Sequence, residues 1–458
     1  MESVRNEPRL QVGPEQDGAA WALAAGVDLL GPVRGSGLRD QTFLARRVDG
    51  QVVQLSKLLN SVLLELAASP PGARTNEEIA EAISDAYGRQ LSSDGLLYLL
   101  AERLAPMGLV ERIDQSALIP TPKSVPLLSI GLRGTLFPAR VVQILATILR
   151  PLYFTPVVLV VLLGFLFADV ILLKRGDLIG AMDQMLATPV LVPGVLIALP
   201  AAAILHELGH ATACRYGGAT PGRIGVGVYI VFPVFFTDVT DSYRLNRGGR
   251  LRTDLGGLYF NALTVIGLAI AYLNTGNGLF LLVLLLMQLE MVQQLVPAVR
   301  LDGYYVLSDL AGVPDLFARV RPVLRSLKRG QPVDPRVREL KPYARKIVVA
   351  WVLMVVPVLA FGFGWLLWSL PVIVPRTWRA VAAEADAFVT AYHVVNLPQL
   401  ALSAISIVAL LLPLVGIAIL LWRTLKVVGA ALIRPTVPSP VVAAGFGTAI
   451  GNGQTPLP

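Results

Sequence analysis

The feature that most constrains this chain is a series of long apolar stretches after residue 150. Six of them approach or exceed the roughly 20 residues that a helix needs to cross a bilayer. The composition agrees, because 54% of the residues are hydrophobic and only 15% are charged, whereas soluble domains have about 25%. The sequence therefore predicts a mostly α-helical, polytopic membrane protein. The predicted spans cover 151–173, 189–213, 255–274, 278–297, 347–374 and 400–422.

The basic residues between these stretches predict the topology. Segments 214–254 and 298–346 are rich in arginine and lysine, whereas the other connections carry few. An excess of Lys and Arg marks cytoplasmic loops. Both basic segments lie on the cytoplasmic side if the number of spans is even and both termini are cytoplasmic. Much of the net charge of +8 is then explained by topology, with the lipid bilayer as partner and no nucleic acid. The excess of 32 Arg over 7 Lys indicates a bacterial source, so the expected location is the bacterial cell membrane.

A small α+β domain is predicted ahead of the spans, over 41–125. The stretch "FLARRVDGQVVQLS" has the pattern of a β-hairpin that turns at Asp49-Gly50. Three helical patterns follow, and the second opens with a capping pair at Thr75 and Glu78. This order of elements predicts a winged-helix-like domain. Residues 46–114 hold seven basic and ten acidic side chains, which argues against DNA binding.

The remaining segments predict little regular structure. Residues 1–40 are expected to be a flexible segment, 126–150 a linker, and 431–458, rich in Pro and Gly, a disordered tail. The transmembrane domain is then 151–430. The polar start of the chain has no apolar core of a signal peptide, so insertion is expected to use the internal spans. A single cysteine, Cys214, excludes an intrachain disulfide.

The second predicted span ends in "HELGH", which contains two of the three histidines in the chain. On a helix, His206 and His210 lie on one face, and both imidazoles can bind a single ion. Glu207 lies about 100° round the helix, where it can reach a water bound to that ion. Zinc with two histidines and a third protein ligand keeps a fourth position for water. Ionisable groups in a membrane span are costly and usually functional, so this motif predicts a zinc site rather than a chance match.

A third ligand is predicted near the end of the fourth span, in "EMVQQLVPAVRLDGYYVLSDL". The second span runs inward, so its histidines lie near the cytoplasmic end, and Asp302 follows the fourth span at the same depth. Asp302 is the favoured ligand and Glu290 is the competing one. Cys214, one turn beyond His210, is a conceivable thiolate ligand, but a small buried residue that packs between helices is the better interpretation. The third histidine, His393, is expected to be an exposed loop residue.

The two motifs together resemble the site-2 protease family of intramembrane zinc metalloproteases. That family pairs HExxH with a later Asn-Pro…Leu-Asp-Gly motif, and this chain is most similar to its peptide zinc metalloprotease branch. The resemblance implies that His206, His210 and Asp302 bind Zn²⁺ and that Glu207 is the catalytic acid/base. It rests on "HELGHA…RYGG", "DVTDSYR" and "RLDGYY.LSDL", at 206–218, 238–244 and 300–310.

One position departs from the family pattern, because Leu295 and Val296 precede Pro297 where an asparagine is expected. Gln293 or Gln294 is the candidate replacement, with a role in binding the substrate. Between the two motifs, residues 223–237 predict one or two β-segments. An extended substrate could pair with a strand edge there, and Gly227 and Tyr229 are the candidate contacts. Asp238 and Asp241 are expected to cap turns.

These observations favour an intramembrane zinc endopeptidase that cleaves a membrane-associated or exported peptide near the cytoplasmic leaflet. The alternative is a non-hydrolytic membrane protein whose zinc site is structural or degenerate and which acts in peptide export or immunity. A transporter would be expected to show repeated groups of spans, and the sequence has none. The N-terminal domain is similar in pattern to the winged-helix peptide-recognition domains of ribosomal-peptide modification systems, so it is a candidate for recruiting the peptide substrate.

Overall fold

The computed structural model describes residues 20–48, 52–70, 72–113, 130–187, 191–229, 232–328 and 332–433. The chain divides into two compact units. The described part of the first unit covers 20–33 and 40–113. The second unit holds Arg34–Arg39 and everything that is described from residue 130 onward.

The first unit is a small α+β fold. Its strands β2 (Asp28–Pro32), β3 (Phe43–Arg46) and β4 (Val52–Leu55) form an antiparallel sheet, and β1 (Trp21–Leu23) pairs with β5 (Val110–Arg112). The predicted hairpin is confirmed as β3 and β4, while its Asp49-Gly50 turn lies outside the described residues. The helices of this unit are α1 (Lys57–Ala68), α2 (Asn76–Tyr87) and α3 (Ser93–Tyr98).

Local sequence signals fix the helices of this unit. The Thr75 hydroxyl accepts from the Glu78 amide, and the Glu78 carboxylate accepts from the Thr75 amide at 2.8 Å, which is the predicted capping box. The helices bury a shared apolar core that includes Leu63, Ile83 and Leu100. The prediction of a flexible segment over 1–40 is wrong for residues 21–32. They contain β1 and β2, because β1 pairs with β5, at 110–112, and β2 pairs with β3, at 43–46.

The second unit contains the helices of membrane length. The prediction of a linker over 126–150 is wrong for 130–149, which form a strand and an amphipathic helix. The elements are β6 (Ile130–Phe137), α4 (Ala139–Leu149), α5 (Thr155–Arg175), α6 (Leu178–Ala187), α7 (Leu191–Tyr216), β7 (Ile224–Tyr229), β8 (Phe232–Thr237), α8 (Arg247–Asp254), α9 (Gly256–Thr275), α10 (Gly278–Leu295), α11 (Asp302–Ala311), α12 (Val320–Ser326), α13 (Pro335–Arg338), α14 (Pro342–His393) and α15 (Leu397–Ile433).

Six helices among the described residues are long and apolar enough to cross a membrane, as the sequence predicted. They are α5, α7, α9, α10, α14 and α15. Helices satisfy their own backbone hydrogen bonds, which lipid cannot do, so apolar stretches of this length form helices. The protein is therefore a polytopic helical membrane protein. Helix α14 has 52 residues and is longer than the predicted span 347–374, because the helix continues through Pro371 and Pro375.

Close packing of α7 against α9 positions the end of α7. A Cβ on Gly209 would lie 2.3 Å from the carbonyl oxygen of Gly256, so the two backbones approach where both residues lack side chains. The Tyr153 hydroxyl, from the turn before α5, donates to the Gly209 carbonyl at 3.0 Å. This donor compensates for the polar backbone that the close approach leaves buried.

Helix α11 is held at both ends. The Trp351 indole N–H donates to the Pro297 carbonyl at 2.7 Å, which fixes the turn between α10 and α11. At the other end, the Gly37 amide donates to the Gly312 carbonyl at 2.8 Å. In the last turn of the helix, the Arg250 guanidinium, 2% exposed, donates to the Asp309 carboxylate at 2.8 Å. These contacts set the position of the first residue of α11, Asp302.

Candidate metal centre

Two histidines converge near the end of α7. His206 and His210 are separated by about one helical turn, so their side chains share a face. Their Nε2 atoms lie 3.1 Å apart, and the residues are 5% and 8% exposed. The spacing predicted this convergence from local geometry alone.

Asp302 completes the group from the start of α11. Its Oδ2 lies 3.2 Å from His206 Nε2, and its Oδ1 lies 3.6 Å from His210 Nε2. Ligand atoms about 2.0–2.1 Å from a tetrahedral zinc ion are about 3.3 Å from one another, which is the separation seen here. The three side chains offer ligand atoms that all lie within 4.8 Å of one another. The predicted third ligand and the histidines are therefore brought together.

The hydrogen bond of the His210 ring leaves its Nε2 atom as the nitrogen that can bind a metal. The Nδ1 of His210 lies 2.8 Å from the carbonyl oxygen of Thr253. A carbonyl only accepts, so Nδ1 carries a proton, and Nε2 is the nitrogen that presents its lone pair to a metal once it has lost its own proton. His206 Nδ1 and Asp302 Oδ2 are buried without a hydrogen-bond partner among the described residues. A cation among the three side chains would offset the cost of burying these polar groups.

The charge state of the Asp302 side chain also suits a metal ligand. Burial raises the pKa of Asp302, but the neighbouring His210 and His206 outweigh this effect and hold the pKa well below its usual range. The carboxylate is therefore ionised. Two imidazole nitrogens and one carboxylate form a donor set that zinc prefers, so the residues present fit the ion.

Gly257, in the first turn of α9, forms the wall of this centre. A Cβ at this position would lie 2.3 Å from His206 Nε2 and 2.5 Å from His210 Nε2, inside the volume of the imidazoles. The two histidines therefore occupy space that exists only because residue 257 has no side chain.

Glu207 lies beside the group without belonging to it. It follows His206 on α7, is half-buried, and is not one of the three residues that could share an ion. Its Oε2 accepts a hydrogen bond of 2.7 Å from the hydroxyl of Thr237, the last residue of β8. A carboxylate that lies next to a metal group without being one of its ligands is what a general base requires.

The amide candidates are separated by the structure. Gln293 is exposed, whereas the Gln294 amide donates to Glu290 Oε1 at 3.1 Å. The Asn261 amide from α9 lies 3.5 Å from Gln294 Oε1. Glu290, the competing ligand, is thus engaged with Gln294 and is not one of the three residues that approach one another.

The predicted strand contacts lie in the centre of a sheet. Strands β6, β7 and β8 are antiparallel in that order, so β7, with Gly227 and Tyr229, is paired on both edges. The hypothesis that a substrate pairs with the backbone of Gly227 and Tyr229 is therefore wrong. The reason is that β6, which belongs to the segment expected to be a linker, already occupies that edge.

The remaining candidates have ordinary structural surroundings. Cys214 is fully buried and is not among the three metal-binding side chains. His393 is exposed at the end of α14. Asp238 accepts from the Thr240 amide two residues later, as a turn cap does, whereas Asp241 accepts from the Thr220 amide, 21 residues earlier, and so joins two separate segments.

Sequence reasoning missed three contributors to the centre, namely Thr237, Thr253 and Gly257. Thr237 and Thr253 act on Glu207 and His210 from distant parts of the chain, and a single sequence carries no signal for such contacts. The glycine pair at 256–257, at the start of a span, was the available signal for close helix packing.

Comparison with known proteins adds one relative. Over 106 residues, the chain is 28% identical to the "Putative peptide zinc metalloprotease protein YydH" of Bacillus subtilis (strain 168). The similarity covers 23% of this chain and 42% of the relative, so the chain spans less than half of the length of the relative it matches. No protein-family model matches the chain, and no solved structure matches it.

Proposed function

We propose that this protein is an intramembrane, zinc-dependent endopeptidase of the site-2 protease type. It would lie in the bacterial cell membrane with both termini in the cytoplasm and cleave a membrane-associated or exported peptide near the cytoplasmic leaflet. The observation that carries this proposal is the convergence of His206, His210 and Asp302 beside a carboxylate that is not a ligand, that of Glu207. The name of the distant relative agrees with it.

The chemistry follows from the residues. When bound, a zinc ion supplies a Lewis acid that polarises the scissile carbonyl and acidifies water. His206, His210 and Asp302 hold the ion, and Thr253 fixes the tautomer of His210. The Glu207 carboxylate takes the proton of the attacking water and passes it to the leaving amine. A structural zinc site would have no use for a base at this position.

The proposed docking site for the substrate is the edge of β8 that does not face β7. A peptide must be extended at the cleaved bond, because a helix buries the amide in its own hydrogen bonds. Strand β8 pairs with β7 on one side, and no other described strand pairs with its second edge. Its last residue, Thr237, touches Glu207, so a peptide on this edge would run toward the centre.

Proline substitutions test the docking site. In an antiparallel strand, the N–H groups of neighbouring residues such as Val234 and Phe235 point to opposite edges. Proline at the one whose N–H points away from β7 should reduce cleavage and leave the zinc content unchanged. Unimpaired cleavage by this variant would rule out pairing on β8. Proline at the other position breaks the ladder to β7 and serves as the folding control.

The N-terminal unit is proposed to recruit the peptide. It is a small α+β unit with its own apolar core, and its acidic balance does not suit nucleic acid. Deleting residues 1–33 and 40–113 would not be a clean test, since the intervening residues belong to the membrane unit. Cross-linking of the intact protein to a peptide substrate is the suitable measurement, and contacts confined to the second unit would refute recruitment.

The proposed activity is tested with Glu207→Gln. Purified wild-type protein and the variant are compared for zinc by elemental analysis and for cleavage of fluorescein-labelled casein, an unfolded probe. Equal zinc with cleavage reduced about 10²–10⁴-fold is expected for loss of a general base. Glu384→Gln, the same change on α14, is the matched control and should cleave like the wild type.

The same experiment distinguishes the proposed peptidase from the alternative function. If wild type and Glu207→Gln bind zinc equally and process peptides identically, the site is structural or degenerate. The protein would then be a non-hydrolytic membrane protein that acts in peptide export or immunity.

A further inference from the structure

The carboxylate of Glu207 is held by a group from a different part of the chain. Thr237 Oγ1 lies 2.7 Å from Glu207 Oε2 and 2.9 Å from the Glu207 carbonyl oxygen. The hydroxyl of Thr237 has one hydrogen, and both oxygens of Glu207 can accept it, so that hydrogen is shared between them and Oε2 is the nearer acceptor. At 2.7 Å, the contact with Oε2 has the ordinary length of a hydrogen bond between a hydroxyl and an oxygen acceptor, and it is the shorter of the two contacts.

Thr237 is itself rigidly placed. It is the last residue of β8 and pairs with Ile224 of β7, which is 2% exposed. The chain stays paired beyond the strand, because the Asp238 amide donates to the Arg223 carbonyl and the Gly222 amide donates to the Asp238 carbonyl. A β-branched side chain also has few accessible rotamers. The hydroxyl is thus presented from a fixed backbone that does not belong to α7.

We propose that Thr237 is a positioning residue, which holds the Glu207 carboxylate in the orientation needed for proton transfer. A glutamate has three rotatable side-chain bonds, and Glu207 is only half-buried, so packing alone does not fix it. Misplacing a reacting group by about 1 Å can cost about 10²-fold in rate. This inference rests on the proposed peptidase function and adds to it a residue outside both sequence motifs.

The placement has a consequence for substrate handling. Strand β8, whose Thr237 holds Glu207, is also the strand whose second edge pairs with no other described strand. The backbone of β8 would therefore position both a paired peptide and the Glu207 carboxylate. The register of the peptide and the position of the base are then set together. The hydroxyl of Thr237 is the link between them.

The test uses the full-length protein in detergent, with fluorescein-labelled casein as the probe. Thr237→Val keeps the branched shape and removes the donor, whereas Thr237→Ser keeps the donor and removes a methyl group. For Thr237→Val, kcat should fall about 10–100-fold, with KM within about twofold and zinc unchanged. Thr237→Ser should restore kcat to within a few-fold of the wild type.

A purely structural role gives a different result. Equal losses in the valine and serine variants, loss of zinc in Thr237→Val, or an effect on KM alone would each overturn the proposal. A second measurement uses Glu207→Asp, whose carboxylate is one methylene shorter and withdrawn from the hydroxyl. Adding Thr237→Val to Glu207→Asp should cost no further activity, and full additivity would contradict a role through Glu207.

Failure of this inference is distinct from failure of the proposed function. If wild type cleaves casein, Glu207→Gln does not, and Thr237→Val matches the wild type, only the role of Thr237 is refuted. If wild type and Glu207→Gln behave alike, the peptidase itself is refuted, and the positioning role with it.

Discussion

Helices α9 and α15 are both apolar and long enough to span a membrane, yet other parts of the protein cover them to very different extents. Half of the most apolar 18-residue window of α9 is buried, against 6% for α15. Hydropathy does not explain this, because α15 is the more apolar, with a mean hydropathy of 2.9 against 1.6. In a bilayer, lipid accommodates apolar side chains as well as another helix does, so apolarity alone does not bury a span.

Small residues and polar contacts account for the burial of α9. Its first turn brings Gly256 against Gly209 of α7, and Gly257 leaves room for the two imidazoles. Asn261, one turn later, is 2% exposed and approaches the Gln294 amide of α10. Helix α9 supplies no metal ligand, but it forms the surface against which the ligands are arranged. Helix α15 has no such task among the described contacts and packs mainly on α14.

The largest effect is expected from adding one carbon to α9. Gly257→Ala places a methyl group 2.3 Å from His206 Nε2 and 2.5 Å from His210 Nε2, so both imidazoles must move away from it. We expect zinc content to fall well below one per chain and casein cleavage to be lost. Elemental analysis of the purified variant checks this prediction.

Gly267→Ala is the matched control in the same helix. A Cβ at Gly267 meets no atom within 4 Å, and alanine has the higher helix propensity. This variant should keep zinc and activity. Full zinc binding in Gly257→Ala would show that α9 does not form the wall of the centre, and the contrast between α9 and α15 would then lose its functional meaning.

The ligands were predictable from the sequence because their geometry is local or topological. The four-residue spacing of His206 and His210 sets a common helix face, and the direction of the spans sets the depth of Asp302. Thr237, Thr253 and Gly257 were not predictable in the same way. Their contacts depend on how β8, α8 and α9 pack against α7, and a span that is apolar around its whole circumference does not encode its rotation.

The prediction that a substrate pairs along Gly227 and Tyr229 failed for a related reason. The β-segments over 223–237 were expected, and β7 and β8 lie there. Which of them has an open edge depends on β6, more than 80 residues earlier in the chain and in a segment that was expected to be a linker. Alternation along a strand indicates its faces, but strand order in a sheet is a property of distant pairing. The helical spans and the capping box of α2, which depend only on nearby residues, were predicted well.

A smaller effect is expected from the acid that precedes α9. Burial raises the pKa of Asp254 to about 8, and the charge of Asp309 beside it adds to this shift. The folded protein thus binds a proton that the unfolded chain loses near its ordinary pKa of about 3.9. Stability should therefore fall as pH rises from about 4 to about 8, by on the order of a few kcal/mol.

Asp254→Asn should flatten this dependence, because the amide cannot ionise. The measurement is the midpoint of thermal unfolding in detergent, followed by tryptophan fluorescence at several pH values after metal removal with EDTA. Asp386→Asn, at an exposed position of α14, is the control and should keep the slope of the wild type. An unchanged slope in Asp254→Asn would contradict the assignment of the extra proton.

The smallest effect compares one substitution in the two spans directly. Val265 of α9 is fully buried, whereas Val408 of α15 is 63% exposed. Val265→Ala removes two methyl groups from a packed interface and should cost about 1–3 kcal/mol. Val408→Ala exchanges one lipid-facing side chain for another and should stay within about 0.5 kcal/mol. Thermal unfolding of both variants in the same detergent measures the difference. Equal destabilisation would mean that α15 is covered by a partner, such as a second copy of the chain, because lipid alone leaves no cavity behind.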